Sequence, residues 1–129
     1  MTRALDTNVL VRVLARDDPV QTPLADEAIH QDFLLTPTVL LETDWVLRSF
    51  YGWSLEQRVR GLESLLDLPH AVAFPASARW ALDRTAKGAD FADMMHIAVA
   101  EGASSFVTFE KKLKRLAGPD TPVPVEILS

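Results

Sequence analysis

The sequence predicts an α/β fold: a central parallel sheet of about five strands, sandwiched between helices in three layers. Three observations carry this. Short apolar runs alternate with longer stretches of helical apolar spacing, the order expected of strand-helix-strand units. Cap-and-proline pairs, which mark helix starts, follow or adjoin several of the runs. Finally, 129 residues with 48% hydrophobic and 24% charged side chains suit one soluble core of ordinary composition. A single domain over residues 1–129 is therefore expected.

The first element is organised around Ala4-Leu5-Asp6-Thr7-Asn8-Val9-Leu10. An apolar run feeds a carboxylate, and helical periodicity then resumes at Val9, Leu10, Val13 and Leu14. This reads as a strand ending in Asp6 and turning into a helix, and ligands of open α/β sheets collect at such strand ends. Asp17-Asp18-Pro19 and Thr22-Pro23 both look like helix starts, predicting a short helix over about 23–31. Phe33-Leu34-Leu35-Thr36 is a second strand, and Thr36-Pro37 opens a helix through Phe50.

In that helix Val39, Glu42 and Val46 share a face, which sets an acid between core-type residues. Asp44 and Arg48, at i and i+4, read as a solvated pair. Ser54 and Gln57 form a capping box for a helix with the stripe Leu55, Val59, Leu62 and Leu66. Ala71-Val72-Ala73-Phe74 is a third strand. Pro75 leads into a helix carrying Ala78, Ala81, Leu82 and Thr85, with Gly88 at its C-terminal cap.

Asp90 then caps a helix over 91–101 that is apolar on nearly every side, as a buried central helix would be. Phe106-Val107-Thr108 is a fourth strand, followed by Phe109-Glu110 and a basic helix over 111–116. Val123 to Leu128 is the last, its Pro124 suiting an edge.

Composition excludes several classes of function. There is no cysteine, hence no disulfide framework and no Cys-ligated zinc, and this agrees with a reducing cytosol. Asp6 and Arg12 interrupt the N-terminal apolar residues before a signal core or membrane span is complete. The expectation is a cytoplasmic protein without membrane partners. A net charge of −5 argues against coating nucleic acid through overall positive potential, although a local basic patch or bound metal can still meet phosphate.

Four carboxylates stand at strand ends, at helix starts or on an apolar helix face: Asp6, Glu42, Asp93 and Glu110. Hard divalent ions take oxygen ligands, and phosphate-cleaving sites use them to activate water and neutralise the leaving oxyanion. Each acid also has a structural alternative. Asp6 can cap the first helix, Glu42 can sit in an ion pair, Asp93 can complete a capping box with Asp90, and Glu110 can be a favourable first-turn charge.

Asp90 reads first as a cap, with a supporting role to a metal second. Thr7, Asn8 and Thr108 can orient carboxylates or a metal-bound water, and each is equally ordinary in a turn. His96 reads as a packed, hydrogen-bonded histidine, with substrate contact or proton transfer as the other option. Lys111, Lys112, Lys114 and Arg115 form a basic surface suited to a nucleic-acid backbone, or simply a solvated face. Trp45, Trp53 and Trp80 read as core or interface before base stacking.

Four blocks, in this order and spacing, carry a family resemblance: Leu5-Asp6-Thr7-Asn8-Val9-Leu10, Leu41-Glu42-Thr43-Asp44-Trp45-Val46-Leu47, Gly88-Ala89-Asp90-Phe91-Ala92-Asp93-Met94-Met95-His96-Ile97-Ala98, and Val107-Thr108-Phe109-Glu110. With them the chain resembles the PIN-domain ribonucleases, and among these the VapC-type toxins of toxin–antitoxin pairs. The resemblance implies a PIN-like three-layer fold and places Asp6, Glu42 and Asp93 as ligands of Mg2+ or Mn2+. Glu110 occupies the fourth position, where the family usually has Asp. A homodimer and a cognate antitoxin that inserts near the active site are also implied.

The sequence reading is thus a metal-dependent endoribonuclease cleaving cellular RNA by in-line hydrolysis, with the acids converging on a shared cation. A catalytically inert PIN-fold module that binds RNA or protein is the alternative. A haloacid-dehalogenase-like phosphatase also begins with Asp at the end of the first strand, but it needs a second acid two residues on. Asn8 stands there and cannot donate a proton in that way. A phospho-receiver carries paired acids before its first acceptor strand, and they are missing here.

Overall fold

Alternating runs of strand and helix character are realised in the computed structural model, which describes residues 2–129. The chain divides into two units, Met1–Phe74 and Pro75–Ser129.

In the first unit, β1 (Arg3–Ala4), β2 (Phe33–Leu35) and β3 (Ala71–Ala73) form a parallel sheet in the order β1-β2-β3. Arg3 is in register with Phe33, and Phe33 with Ala71. The central strand buries Phe33 and Leu35 completely. Between the strands run α1 (Thr7–Ala15), α2 (Gln21–Ala28), α3 (Pro37–Ser49) and α4 (Leu55–Leu66). Helix α1 packs on α2 and α3, and α3 on α4.

Leu10 and Val11 of α1, Leu40 and Leu47 of α3, and Val59, Leu62 and Leu65 of α4 are buried core residues. Each such leucine contributes about 2 kcal/mol through lost apolar surface. The buried stripe of α3 is Leu40, Thr43 and Leu47, so Val39, Glu42 and Val46 lie along its border, with Glu42 exposed.

Local signals account for most helix boundaries. Thr36 and Pro37 open α3, and Ser54 and Gln57 close both bonds of the predicted capping box. Thr22-Pro23, by contrast, does not start α2. The Asp18 carboxylate accepts from the amides of Val20 and Gln21 at 2.9 and 2.8 Å, so the helix begins earlier and Thr22 is buried inside its first turn. Pro23 remains harmless there because first-turn amides have no helical partner.

Asp44 pairs not with Arg48 but with Arg58 of α4, at 2.9 Å. A second Arg58 nitrogen donates to the Trp53 carbonyl at 2.9 Å. A half-buried guanidinium with two acceptors outcompetes an exposed neighbour one turn away.

The second unit holds α5 (Ala78–Ala86), α6 (Phe91–Val99), β4 (Phe106–Thr108), α7 (Lys111–Ala117) and β5 (Val125–Ile127). Strands β4 and β5 pair in parallel, Phe106 with Val125 and Thr108 with Ile127. Helix α6 packs on α5 and buries Phe91, Met94, Met95, Ile97 and Ala98, whereas Val99 is half exposed. Gly88, at φ 106°, makes the left-handed turn after α5 that its position predicts. Arg84 Nε donates to the Leu116 carbonyl at 2.7 Å, tying α5 to the end of α7.

The sheet differs from expectation in one respect. All strand pairs are parallel, but hydrogen bonding gathers them into sets of three and two where one set of about five was expected. Strands of two or three residues leave room for only a few ladder bonds each. Among the described residues, no helix is long and apolar enough to cross a membrane.

Candidate metal centre and nuclease site

In the first unit the chain leaves β1 through the buried Leu5 and delivers Asp6 at the strand's C-terminal end. Asp6 is the N-cap of α1, with extended backbone at φ −75° and ψ 160°, and its Oδ1 accepts from the Thr7 amide at 2.8 Å. Capping is therefore one of its roles. Its Oδ2 makes no hydrogen bond among the described residues, which leaves a carboxylate oxygen available to a ligand at the positive end of α1.

Thr7 is the joint of this arrangement. It is buried, only 4% exposed, and its hydroxyl donates a hydrogen bond to Glu42 Oε1. Asp6 accepts from the backbone of Thr7 and Glu42 from its side chain, so one residue gathers two acids 36 positions apart in the sequence. Asn8 is exposed and its side chain has no partner among the described residues. Of the three candidate orienting residues in the sequence, Thr7 is the one that reaches an acid with its side chain in this unit.

In the second unit, Asp90 caps α6 by accepting from the Asp93 amide at 2.9 Å. Asp93, His96, Thr108 and Glu110 line a cavity of about 310 Å³, together with residues of β4 and α7. The Asp93 carboxyl is pushed up from its ordinary value, first by the loss of water on its packed side and then by the negative charges of Asp90 and Glu110. His96 opposes the shift. Such mutual repulsion is what a bound cation would relieve.

Thr108 Oγ1 accepts from the Glu110 amide at 3.0 Å and so fixes the turn into α7. Glu110 sits at the N-cap of α7, but its side chain makes no capping bond, which leaves the carboxylate free at the cavity wall. His96, expected to be packed away, is exposed at that same wall. It stands in the last turn of α6 on the outward face, while Met95 and Ile97 beside it take the core positions. Lys111, Lys112, Lys114 and Arg115 are all exposed along α7.

One feature near the first site was not legible in the sequence. Arg12 donates to Gln21 at 2.8 Å, to Asp17 at 3.2 Å and to the Tyr51 hydroxyl at 3.1 Å, and that hydroxyl donates to Asp17 at 2.7 Å. The bond to Asp17 is the main reason the Tyr51 phenol is pushed up. The aromatic run Phe50-Tyr51-Gly52-Trp53 was its only trace in the sequence.

Among the described residues, no group of three or more His, Asp or Glu side chains is gathered at metal-binding distance. The donor set of the first unit nevertheless fits a hard cation. Mg2+ is commonly held by one or two carboxylates, with waters and substrate phosphate completing its octahedron. Asp6 and Glu42 offer such a pair.

No curated protein is matched by the chain. No solved structure is matched either. The PIN domain family model matches residues 3–119, spanning both units and all four sequence blocks, and the chain therefore belongs to the PIN domain family.

Proposed function

We infer that this protein is a metal-dependent endoribonuclease acting on cellular RNA, the toxin component of a toxin–antitoxin module. PIN domains are generally nucleases. The observation that carries the reading for this chain is the carboxylate pair Asp6 and Glu42, gathered by Thr7 at the start of α1.

Asp6 and Glu42 in the first unit, and Asp93 and Glu110 in the second, are the side chains assigned to Mg2+ or Mn2+. When bound, the ion supplies Lewis acidity to the scissile phosphate and lowers the pKa of an attacking water. Thr7 holds Glu42 in place, and Asp6 keeps one oxygen on the helix cap while presenting the other. Asp90 and Thr108 support Asp93 and Glu110 through the backbone bonds that shape their turns. Lys111, Lys112, Lys114 and Arg115 meet the RNA backbone as an exposed cationic strip.

The toxin assignment, a cognate antitoxin, a homodimer, a cytoplasmic location and a single five-stranded PIN-like domain follow from the likeness of the four blocks to VapC-type chains. One family model running through both units supports the single-domain reading. Glu110, standing where such chains usually have Asp, is the feature that favours the inert binding module, and manganese calorimetry separates the two.

The direct test is incubation with total cellular RNA, with Mg2+ and then with chelator, followed by mapping of the cut ends. Metal-dependent cuts leaving 5′-phosphates, lost in Asp6→Asn, are expected. Full cleavage by that variant, or cleavage in chelator, overturns the assignment.

A further inference from the structure

Cleavage by the acids gives no task to a hollow of about 350 Å³ between α1 and α3, lined by Asn8, Val11, Arg12, Val46, Phe50 and Tyr51. Its walls are those of a site for a flat ring. Phe50 is 76% exposed, and Trp45 braces it edge-to-face with centroids 6.1 Å apart and planes at 78°. Tyr51 and Arg12 are held by their bonds to Asp17 and Gln21, so a phenol ring and a planar guanidinium stand fixed before any ligand arrives. Val46 and the largely buried Val11 complete the lining.

Aromatic rings and guanidinium planes are the groups on which unstacked bases settle. The Asn8 side chain is exposed and unpartnered among the described residues, and its amide carries both a donor and an acceptor for a base edge.

The charges favour a base over a phosphate. Arg12 already faces Asp17, so its charge is largely met. A docked amphipathic helix would instead call for a continuous apolar groove, and Asn8, Arg12 and the Tyr51 hydroxyl interrupt this wall. Position links the hollow to the acids: Asn8 is two residues from Asp6, and Val46 stands one helical turn beyond Glu42.

The geometry points to a nucleobase subsite, in which one unstacked base of single-stranded RNA lies against Phe50, Tyr51 and Arg12 and presents its edge to Asn8. This rests on the nuclease reading and adds which part of the substrate the first unit grips.

The test measures binding of a fluorescent octaribonucleotide, and of the same oligomer with abasic riboses, to the full chain in chelator. Phe50→Ala is chosen because the ring is exposed and its loss spares the core. Wild type is expected to bind the base-bearing oligomer about tenfold or more tightly than Phe50→Ala does, with the abasic oligomer bound equally by both. Equal affinity of the two proteins for base-bearing RNA overturns the subsite. So does a Phe50→Ala protein that changes only in oligomeric state, since the surface is then a subunit contact. Base-dependent binding by a wild type that never cuts RNA with Mg2+ keeps the subsite and sinks the nuclease reading alone.

Discussion

Thr7→Val isolates the joint between the two acids. Valine places a methyl where threonine has its hydroxyl, so the buried position keeps its volume and loses only the hydrogen-bonding group. The Asp6 bond to the residue 7 amide is a backbone contact and survives. What disappears is the donor to Glu42. Because Glu42 is exposed, water solvates the freed carboxylate, and folding stability should change by no more than about 1 kcal/mol.

Function should change far more, since removing a residue that orients a metal ligand typically costs roughly 10–100-fold in metal affinity or activity. The assay is Mn2+ titration by calorimetry alongside cleavage of a labelled RNA, with Thr7→Ser restoring most of the loss. If Thr7→Val binds Mn2+ and cleaves like wild type, the hydrogen bond is incidental and Thr7 does not assemble the site.

Two further outcomes are expected. The Asp93 carboxyl is raised above its unfolded value, so the folded state holds a proton longer as pH rises. Its contribution to stability is present below the ordinary carboxylate pKa of 3.8 and lost as pH climbs through the raised value. In chelator, Asp93→Asn should therefore melt higher than wild type at neutral pH, with the gain vanishing in acid, and an unchanged or lower melting temperature at pH 7 refutes this. Gly118→Ala should cost roughly 1–3 kcal/mol in urea unfolding, because φ 76° with ψ −177° is a glycine conformation. A Cβ there would also come within 2.8 Å of the Arg84 guanidinium, which is held on Leu116. A wild-type midpoint would show that this turn relaxes freely.

The helix starts were legible because caps are local. Asp6, Ser54 with Gln57, and Asp90 need only their own next few residues to act. Glu42 stood out because an acid interrupted an apolar face, and it does reach across to another element. The misses come from competition and orientation that spacing along one element does not reveal. Arg48 was the right distance from Asp44 along the helix, but Arg58 offers a less exposed site with a second acceptor beside it. Thr22-Pro23 had the form of a helix start, and Asp18 captured the amides first. His96 looked packed because its neighbours are apolar, yet helical rotation turns those neighbours inward and His96 out. The gathering of strands into sets of three and two could not be read either, since runs this short carry no register information of their own.

Arg12 borders not one hollow but two, the second lying toward α2 with Gln21, Leu24 and Ala25 on its wall. The guanidinium is thus a partition, and Asp17 and Tyr51 are the posts that keep it upright. Asp17 borders neither space, yet a substitution there would let the partition swing and change the shape of both at once. Selection or engineering that needs to alter what this face of α1 admits has, in that one aspartate, a control that leaves every wall residue untouched.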